Sequence, residues 1–133
     1  MVELSKTFEL ECETLDRDHQ RLVEMVNDIV ALLDDPACIN CEEKVYEFIN
    51  FAKGHFSREE QLLAKSGYPN VGKHKEHHRQ LDKKMEHLVE FAGMVGVNEI
   101  ARESLKKELV FFVMDDIITN DLDFKEFVSD QHP

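Results

Sequence analysis

Apolar residues recur at steps of three and four along most of the chain, which is the spacing of one face of an α-helix. Residues that end helices separate four such stretches, namely Asp34-Asp35-Pro36, Ser66-Gly67-Tyr68-Pro69, and Gly93 with Gly96. The pattern predicts four helices, at about residues 14–34, 42–65, 71–92 and 98–128. Residues 1–13 have no strong period and are predicted to form an arm that packs on the helices.

Four amphipathic helices with short connections predict an all-α fold, an antiparallel up-down-up-down four-helix bundle. At 133 residues the chain is long enough for one hydrophobic core and too short for two, so a single domain over 1–133 is expected. In an antiparallel bundle, early positions on odd helices lie beside late positions on even helices. Polar residues at such positions are therefore predicted to meet near one end.

Seven residues of metal-ligand type interrupt the apolar faces, and every predicted helix supplies at least one. Residues four apart lie one turn above each other, so His55 with Glu59, and His74 with His78, each direct two donor groups at one point. Leaving such groups buried without a cation costs several kcal/mol per unpaired charge. A binuclear metal site removes that cost. Its predicted ligands are His19, His55, Glu59, His74, His78, Asp116 and Asp121.

Each of these residues also has a simpler interpretation when it is taken alone. A single buried histidine such as His19 is more often a hydrogen-bonded core residue than a ligand, and only the coincidence of seven favours the metal. The neighbouring charges are predicted to be solvated surface; they are Glu60, Glu76 and Asp115. The remaining histidines are also predicted on the surface, with His77 a weak candidate to contact a ligand from behind; they are His77, His87 and His132.

The charge balance excludes several partners. With 28 acidic and 16 basic residues the net charge is -12, and no basic stripe interrupts it, so neither nucleic acid nor an anionic membrane is an expected partner. No apolar run approaches the ~20 residues that span a bilayer. The first residues lack a basic region followed by an apolar one. A soluble cytoplasmic protein is the expectation.

Cysteine usage gives a weak signal. The three cysteines are Cys12, Cys38 and Cys41, and an odd number argues against a complete disulfide framework. Cys38 and Cys41 form an isolated CxxC without a second pair. Incidental thiols in a loop are the preferred interpretation, and a redox-sensitive or adventitious metal-binding pair is the alternative.

The order of the ligand candidates resembles the hemerythrin family, in particular its stand-alone bacterial members. The motif residues are His19, then His55-x-x-x-Glu59, then His74-x-x-x-His78, then Asp121. The flanking segments 15–22, 55–63, 67–69 and 74–78 agree with it as well. The similarity extends over residues 8–128, nearly the whole chain.

The resemblance implies two iron ions joined by an oxo or hydroxo bridge, with zinc or manganese as alternative metals. His19 and His55 would bind one iron, which keeps an open position for dioxygen, and His74 and His78 the other. Glu59 and Asp121 would bridge the two. The family usually has a histidine five residues before the bridging aspartate and a tryptophan four residues before that histidine; this chain has Asp116 and Phe112. Asp116 is predicted to take the place of that histidine as a ligand.

The function that the resemblance implies is dioxygen binding by a non-haem di-iron protein, as a carrier, store or sensor, and a carrier catalyses nothing. Apolar residues predicted to line the dioxygen pocket, or simply the core, are Leu22, Phe56, Leu63, Phe112 and Ile117, with Leu81 a further candidate.

Two alternatives come from other classes. An anionic Asp116 ligand favours ferric iron, which would move the protein toward a di-iron oxidase or peroxidase. A module that signals dioxygen, nitric oxide or iron to a protein partner is the third interpretation.

Overall fold

Four helical stretches pack side by side, and together they form the bundle that the sequence predicts. The structure, a computed structural model, describes residues 2–129. Helix α1 spans Glu13–Leu33, α2 spans Glu42–Ser66, α3 spans Val71–Ala92, and the fourth stretch begins with α4 at Glu99–Phe111. Each packs against the next, and α1 packs against α4, which closes the bundle. The all-α four-helix fold is confirmed, and the described residues contain no strand.

The fourth stretch differs from the single helix predicted over 98–128. After α4 the chain widens into a π-helical segment, Phe112–Thr119, then tightens into a 3-10 turn at Leu122–Phe124 and ends in a short helix, α5, at Lys125–Val128. A π-helix is bonded from residue i to i+5, so residues five apart come to lie on one side. Its buried residues fit this spacing, since they are Phe112 with Ile117 and Val113 with Ile118.

The helix ends follow local chemistry. Gly67 adopts a left-handed conformation with φ of 77° at the end of α2, and its N–H donates to the carbonyl of Leu63. Glycine takes this conformation without the strain that a Cβ would cause. At the start of α4 the Asn98 side chain accepts a hydrogen bond of 3.1 Å from the N–H of Ala101. No helix within residues 2–129 is long and apolar enough to cross a membrane.

The N-terminal arm is tied to α1 by hydrogen bonds. The Val2 N–H donates to Asn27 Oδ1 at 2.9 Å, and Asn27 Nδ2 donates back to the Val2 carbonyl at 2.8 Å. Nearer the helix, the Asp16 carboxylate accepts from the N–H groups of Leu10 and Cys12. Leu10 is fully buried. The arm therefore lies along α1, from Asp16 near the start of the helix to Asn27 in its second half.

Two apolar clusters fill the interior. The larger one extends along the helices and contains most of the buried phenylalanine, leucine and valine side chains. The smaller one lies where the arm meets the bundle and consists of Leu10, Cys12, Leu15, Leu63 and Phe124, with several half-buried neighbours. The polar residues between these two clusters form the site described below.

A buried arginine joins two loops. Arg102 on α4 is 7% exposed. Its guanidinium donates to the carbonyls of Leu33 at the end of α1, of Asp35 and Cys38 in the α1–α2 connection, and of Val95 in the α3–α4 connection. A guanidinium offers five N–H donors in a fixed plane, which suits several carbonyls at once. Arg102 thus holds the two loops together.

Replacement of Arg102 by methionine tests this role. Arg102→Met keeps much of the side-chain volume but leaves the buried carbonyls of Leu33 and Val95 without a charged donor, so we expect the free energy of unfolding to fall by roughly 2–4 kcal/mol. Urea denaturation of the metal-free protein measures this free energy of unfolding. Lys107→Met, at an exposed position on the same helix, is the matched control and should change little. Equal stability of the two variants would contradict the role.

Candidate metal centre

Six of the seven predicted ligands converge in two overlapping groups. His19, His55, Glu59 and Asp121 form one group, and Glu59 also belongs to the second group with His74 and His78. Within each group the potential ligand atoms all lie within 4.8 Å of one another, and every one of these residues is buried. The two groups share a carboxylate, which is the arrangement of a binuclear site.

Every helical stretch places its site residues in the same way. Along each one, a residue or pair of the site lies between a side chain of the larger apolar cluster and one packed in the smaller cluster. The sequences of residues are Leu15, His19 and Leu22 on α1; Ala52, His55, Glu59 and Leu63 on α2; Val71, His74, His78 and Leu81 on α3; and Ile118, Asp121 and Phe124 on the fourth stretch. The site is therefore enclosed by apolar packing on both sides.

The two oxygens of Glu59 face different histidines. Oε2 lies 2.9 Å from His55 Nε2, whereas Oε1 lies 3.0 Å from His78 Nε2 and also contacts His74 Nε2. Glu59 is fully buried. One carboxylate thus reaches from the histidine on α2 to the pair on α3.

Asp121 spans the site in the same way. Its Oδ2 lies 2.8 Å from His19 Nε2 and 3.4 Å from His55 Nε2, and its Oδ1 lies 3.6 Å from His74 Nε2. All four histidines therefore present Nε2 to two carboxylates, and each carboxylate faces both halves of the site. This is the geometry of two bridging carboxylates between two pairs of imidazoles.

A buried oxygen without a donor indicates that the donor set suits cations. Glu59 Oε2 makes no hydrogen bond among the described residues, because its contact with His55 Nε2 lacks hydrogen-bond geometry. A carboxylate oxygen in this state loses its hydration without replacement. A cation would satisfy it. Imidazole nitrogen and carboxylate oxygen are ligands that iron, manganese and zinc accept, so the residues fit a pair of such ions.

Burial and mutual charge set the protonation of the cluster. Burial and the neighbouring charge of Glu59 raise the pKa of Asp121 well above its usual range. Burial alone would also raise the pKa of Glu59, but hydrogen bonds from Asp121 and the imidazoles hold it well below. Burial and the charge of His55 lower the pKa of His19 to about 3, so His19 is neutral. Burial would lower the pKa of His55 too, yet the adjacent carboxylates of Asp121, Asp18 and Glu59 raise it well above its usual range.

Sequence reasoning missed the partners of His55 on the side away from the site. Its Nδ1 donates to Asp18 Oδ2 at 2.9 Å, and Arg58 donates to both oxygens of Asp18, from Nε at 2.8 Å and Nη2 at 3.0 Å. Burial alone would raise the pKa of Asp18, but these bonds lower it. A ring that donates from Nδ1 keeps Nε2 for a metal. The only signal in the sequence was that both residues are one position from a ligand.

The prediction that Glu60 is a solvated surface residue was wrong. Its side chain is 27% exposed, and its Oε2 accepts a hydrogen bond of 2.9 Å from His78 Nδ1. No spacing rule could have found this bond, because it joins α2 to α3. Glu76 and Asp115 are exposed, as expected, and His87 is exposed as well, while His132 lies outside the described residues.

Asp116 is not brought into either group of converging ligands. Its Oδ2 lies 2.7 Å from Lys84 Nζ, and its backbone carbonyl accepts a hydrogen bond of 2.9 Å from His77 Nε2. His77 is half-buried and not fully on the surface. The π-helical turn directs the Asp116 side chain toward α3 and not toward the histidines. Its coordination of a metal therefore stays a prediction.

The five residues predicted to line a dioxygen pocket are all buried, but they do not form one group. Leu63 belongs to the smaller apolar cluster, whereas Leu22, Phe56, Phe112 and Ile117 belong to the larger one. Phe56 stacks on the His78 ring, with ring centroids 4.2 Å apart and planes inclined by 18°. Their role as a pocket stays a prediction.

The CxxC pair lies outside the metal groups. Cys41 is the residue before α2 and is buried, while Cys38 is half-buried. Burial, together with the neighbouring Cys38, raises the pKa of the Cys41 thiol to about 11. A thiol with so high a pKa is a poor nucleophile at neutral pH, which agrees with the interpretation of Cys41 as a packing residue.

The comparisons with known proteins agree with this geometry. Residues 12–126 match the family model described as the hemerythrin HHE cation binding domain. Three similar proteins are a bacteriohemerythrin of Clostridium acetobutylicum, 34% identical over 59% of this chain and 64% of that protein; a bacteriohemerythrin of Stenotrophomonas maltophilia, 26% identical over 73% and 64%; and a myohemerythrin of Theromyzon tessulatum, 34% identical over 55% and 56%. The matched part is thus under two thirds of each relative's length. No solved structure matches the chain.

Metal binding is expected to release protons. The raised pKa values of His55 and Asp121 mean that both hold protons in the metal-free cluster, and a cation must displace them. Affinity for a divalent cation should therefore fall as the pH is lowered, roughly tenfold per pH unit for each proton displaced. Calorimetric titration with Zn²⁺ at pH 6 and pH 8, in buffers of different ionisation enthalpy, counts these protons. Asp121→Asn should release fewer protons on binding Zn²⁺. A metal affinity that does not change with pH would contradict the expectation.

Proposed function

The chain belongs to the hemerythrin family, and on that premise we propose that it holds two iron ions and binds dioxygen at them. The observation that carries the proposal is the position of two carboxylates, Glu59 and Asp121, each of which faces histidines of both groups. His19 and His55 would hold one ion, and His74 and His78 the other. The choice of iron over zinc or manganese follows from the family and not from the donor atoms.

The protein part of the chemistry is positioning and exclusion of water. When bound, the two irons supply the electrons that dioxygen binding requires. The hydrogen bonds from Nδ1 of His55 and His78 fix those two rings with Nε2 toward the site. The two apolar clusters enclose the site, and Phe56 covers one face of His78. A dry environment disfavours charge separation and proton entry, which suits reversible binding better than turnover.

Asp116 is the predicted seventh ligand. To bind, its carboxylate must leave Lys84, whose side chain is 44% exposed. An ion pair with so exposed a partner contributes only about 0–1 kcal/mol, so it would not prevent the carboxylate from moving to a cation. The enzyme alternative depends on this third carboxylate. The contact with Lys84 therefore does not separate the carrier from the oxidase or peroxidase, and the dioxygen experiment below does.

Iron content tests the ligand set. We expect two irons per chain after anaerobic loading and desalting, measured by elemental analysis. Glu59→Ala should lose at least one iron, because the carboxylate faces both groups. Glu76→Ala, at an exposed position on α3, is the control and should retain both. One iron or none in the wild-type protein would overturn the proposal.

Exposure of the reduced, iron-loaded protein to dioxygen separates a carrier from an enzyme. A carrier should develop visible charge-transfer bands that disappear when dioxygen is removed under inert gas, over several cycles. An oxidase would instead consume dioxygen continuously in the presence of a reductant. Absorption spectra and an oxygen electrode on the same sample measure both. Continuous consumption would decide for the enzyme.

A further inference from the structure

Two carboxylates accept hydrogen bonds from Nδ1 of ligand histidines, on the side of each ring that faces away from the site. One lies in each half of the site. Asp18 Oδ2 accepts from His55 Nδ1, and Glu60 Oε2 accepts from His78 Nδ1, both at 2.9 Å. Resting on the proposed function, we infer that Glu60 is a positioning residue that makes the iron held by His74 and His78 the easier of the two to oxidise. The inference follows from a difference in how the two carboxylates are themselves paired.

The carboxylate behind His55 is neutralised. Arg58 donates two N–H groups to Asp18, at 2.8 and 3.0 Å, in the side-by-side geometry that guanidinium and carboxylate favour. The Asp18 side chain is 11% exposed. His55 therefore faces a pair with no net charge. The half of the site with His19 and His55 gains a hydrogen bond without gaining negative charge.

The carboxylate behind His78 is not neutralised. Within residues 2–129, Glu60 forms no ion pair with a lysine or arginine within 4 Å. It lies in an open groove of about 780 Å³ between α2 and α3. The cations of that groove are Lys53, Lys75 and Arg79, and Arg79 is paired with Glu76. His78 therefore faces a carboxylate that no lysine or arginine contacts directly, although Lys53 and Lys75 line the same groove. The side chain of Glu60 is 27% exposed, so solvent screens its charge in part.

A negative charge behind an imidazole affects the metal in front of it. A carboxylate that accepts from Nδ1 makes the ring a stronger electron donor through Nε2. The uncompensated charge also stabilises the ion of higher charge by direct attraction. Both effects favour ferric over ferrous iron at the position held by His74 and His78. Removal of one electron from the fully reduced pair should thus occur there first.

The packing around His78 makes a clean variant available. Phe56 stacks on one face of the ring and holds its plane independently of Glu60. Glu60→Gln keeps the length of the side chain and an oxygen that can accept from Nδ1, and it removes only the charge. Arg58→Gln is the complementary change, because it leaves the Asp18 charge uncompensated. Glu43→Gln, an exposed position on α2, is the control.

The experiment is a potentiometric titration of the iron-loaded protein, after the irons per chain have been counted. Glu60→Gln should raise the lower of the two one-electron potentials by about 59 mV, which corresponds to a tenfold change in the ferrous-to-ferric ratio. The upper potential should rise by less. Arg58→Gln should lower the upper potential. Each of these two substitutions should bring the two one-electron potentials closer together, whereas Glu43→Gln should leave their difference unchanged.

The outcomes are distinguishable. Two irons per chain with equal or absent shifts in both steps would overturn the role of Glu60 and leave the di-iron proposal intact. Fewer than two irons in the wild-type protein would overturn the di-iron proposal itself. If Glu60→Gln does not retain both irons, Arg58→Gln decides alone, since a fixed upper potential would contradict the inference and a lowered one would support it.

Discussion

The structure depends on the burial of two carboxylates and four imidazoles in an otherwise apolar interior. Glu59 and Asp121 cannot both stay ionised there without compensation, and the opposite directions of their pKa shifts express that conflict. Cations remove the conflict, because lone pairs that repel each other become ligands of a common charge. The architecture around the site can be understood as the means of bringing these six side chains together.

The same arrangement of side chains occurs on every helical stretch. Each stretch has apolar residues of the larger cluster on one side of the site and of the smaller cluster on the other. The interruption of the apolar face is one or two residues long, so each helix stays anchored on both sides. The smaller cluster includes Leu10 of the arm, whose N–H donates to Asp16, whereas Val2, which is held by Asn27, packs on the larger cluster.

Much of this could be predicted from the sequence, because helical spacing is a local property. The pairs at i and i+4, His55 with Glu59 and His74 with His78, determine which side chains share a face, and the apolar period determines that the face is buried. The π-helical segment was not predictable from this spacing, because the step of four between Val113 and Ile117 is equally that of an α-helix.

The contacts between helices were not predictable in the same way. Glu60 on α2 reaches His78 on α3, and Lys84 on α3 reaches Asp116 on the neighbouring π-helical segment. Neither bond leaves a periodic signal. Position relative to a ligand was equally uninformative: Asp18 and Glu60 are both adjacent to a ligand in sequence, yet only one is neutralised by an arginine. Such differences depend on how the helices are rotated against each other.

Diffraction from crystals of the iron-loaded protein, recorded above and below the iron absorption edge, tests the central claim most directly. We expect two anomalous peaks about 3.5–4 Å apart, both in contact with Glu59 and Asp121. One should lie beside His19 and His55 and the other beside His74 and His78. A single peak, or two peaks that share neither carboxylate, would contradict it.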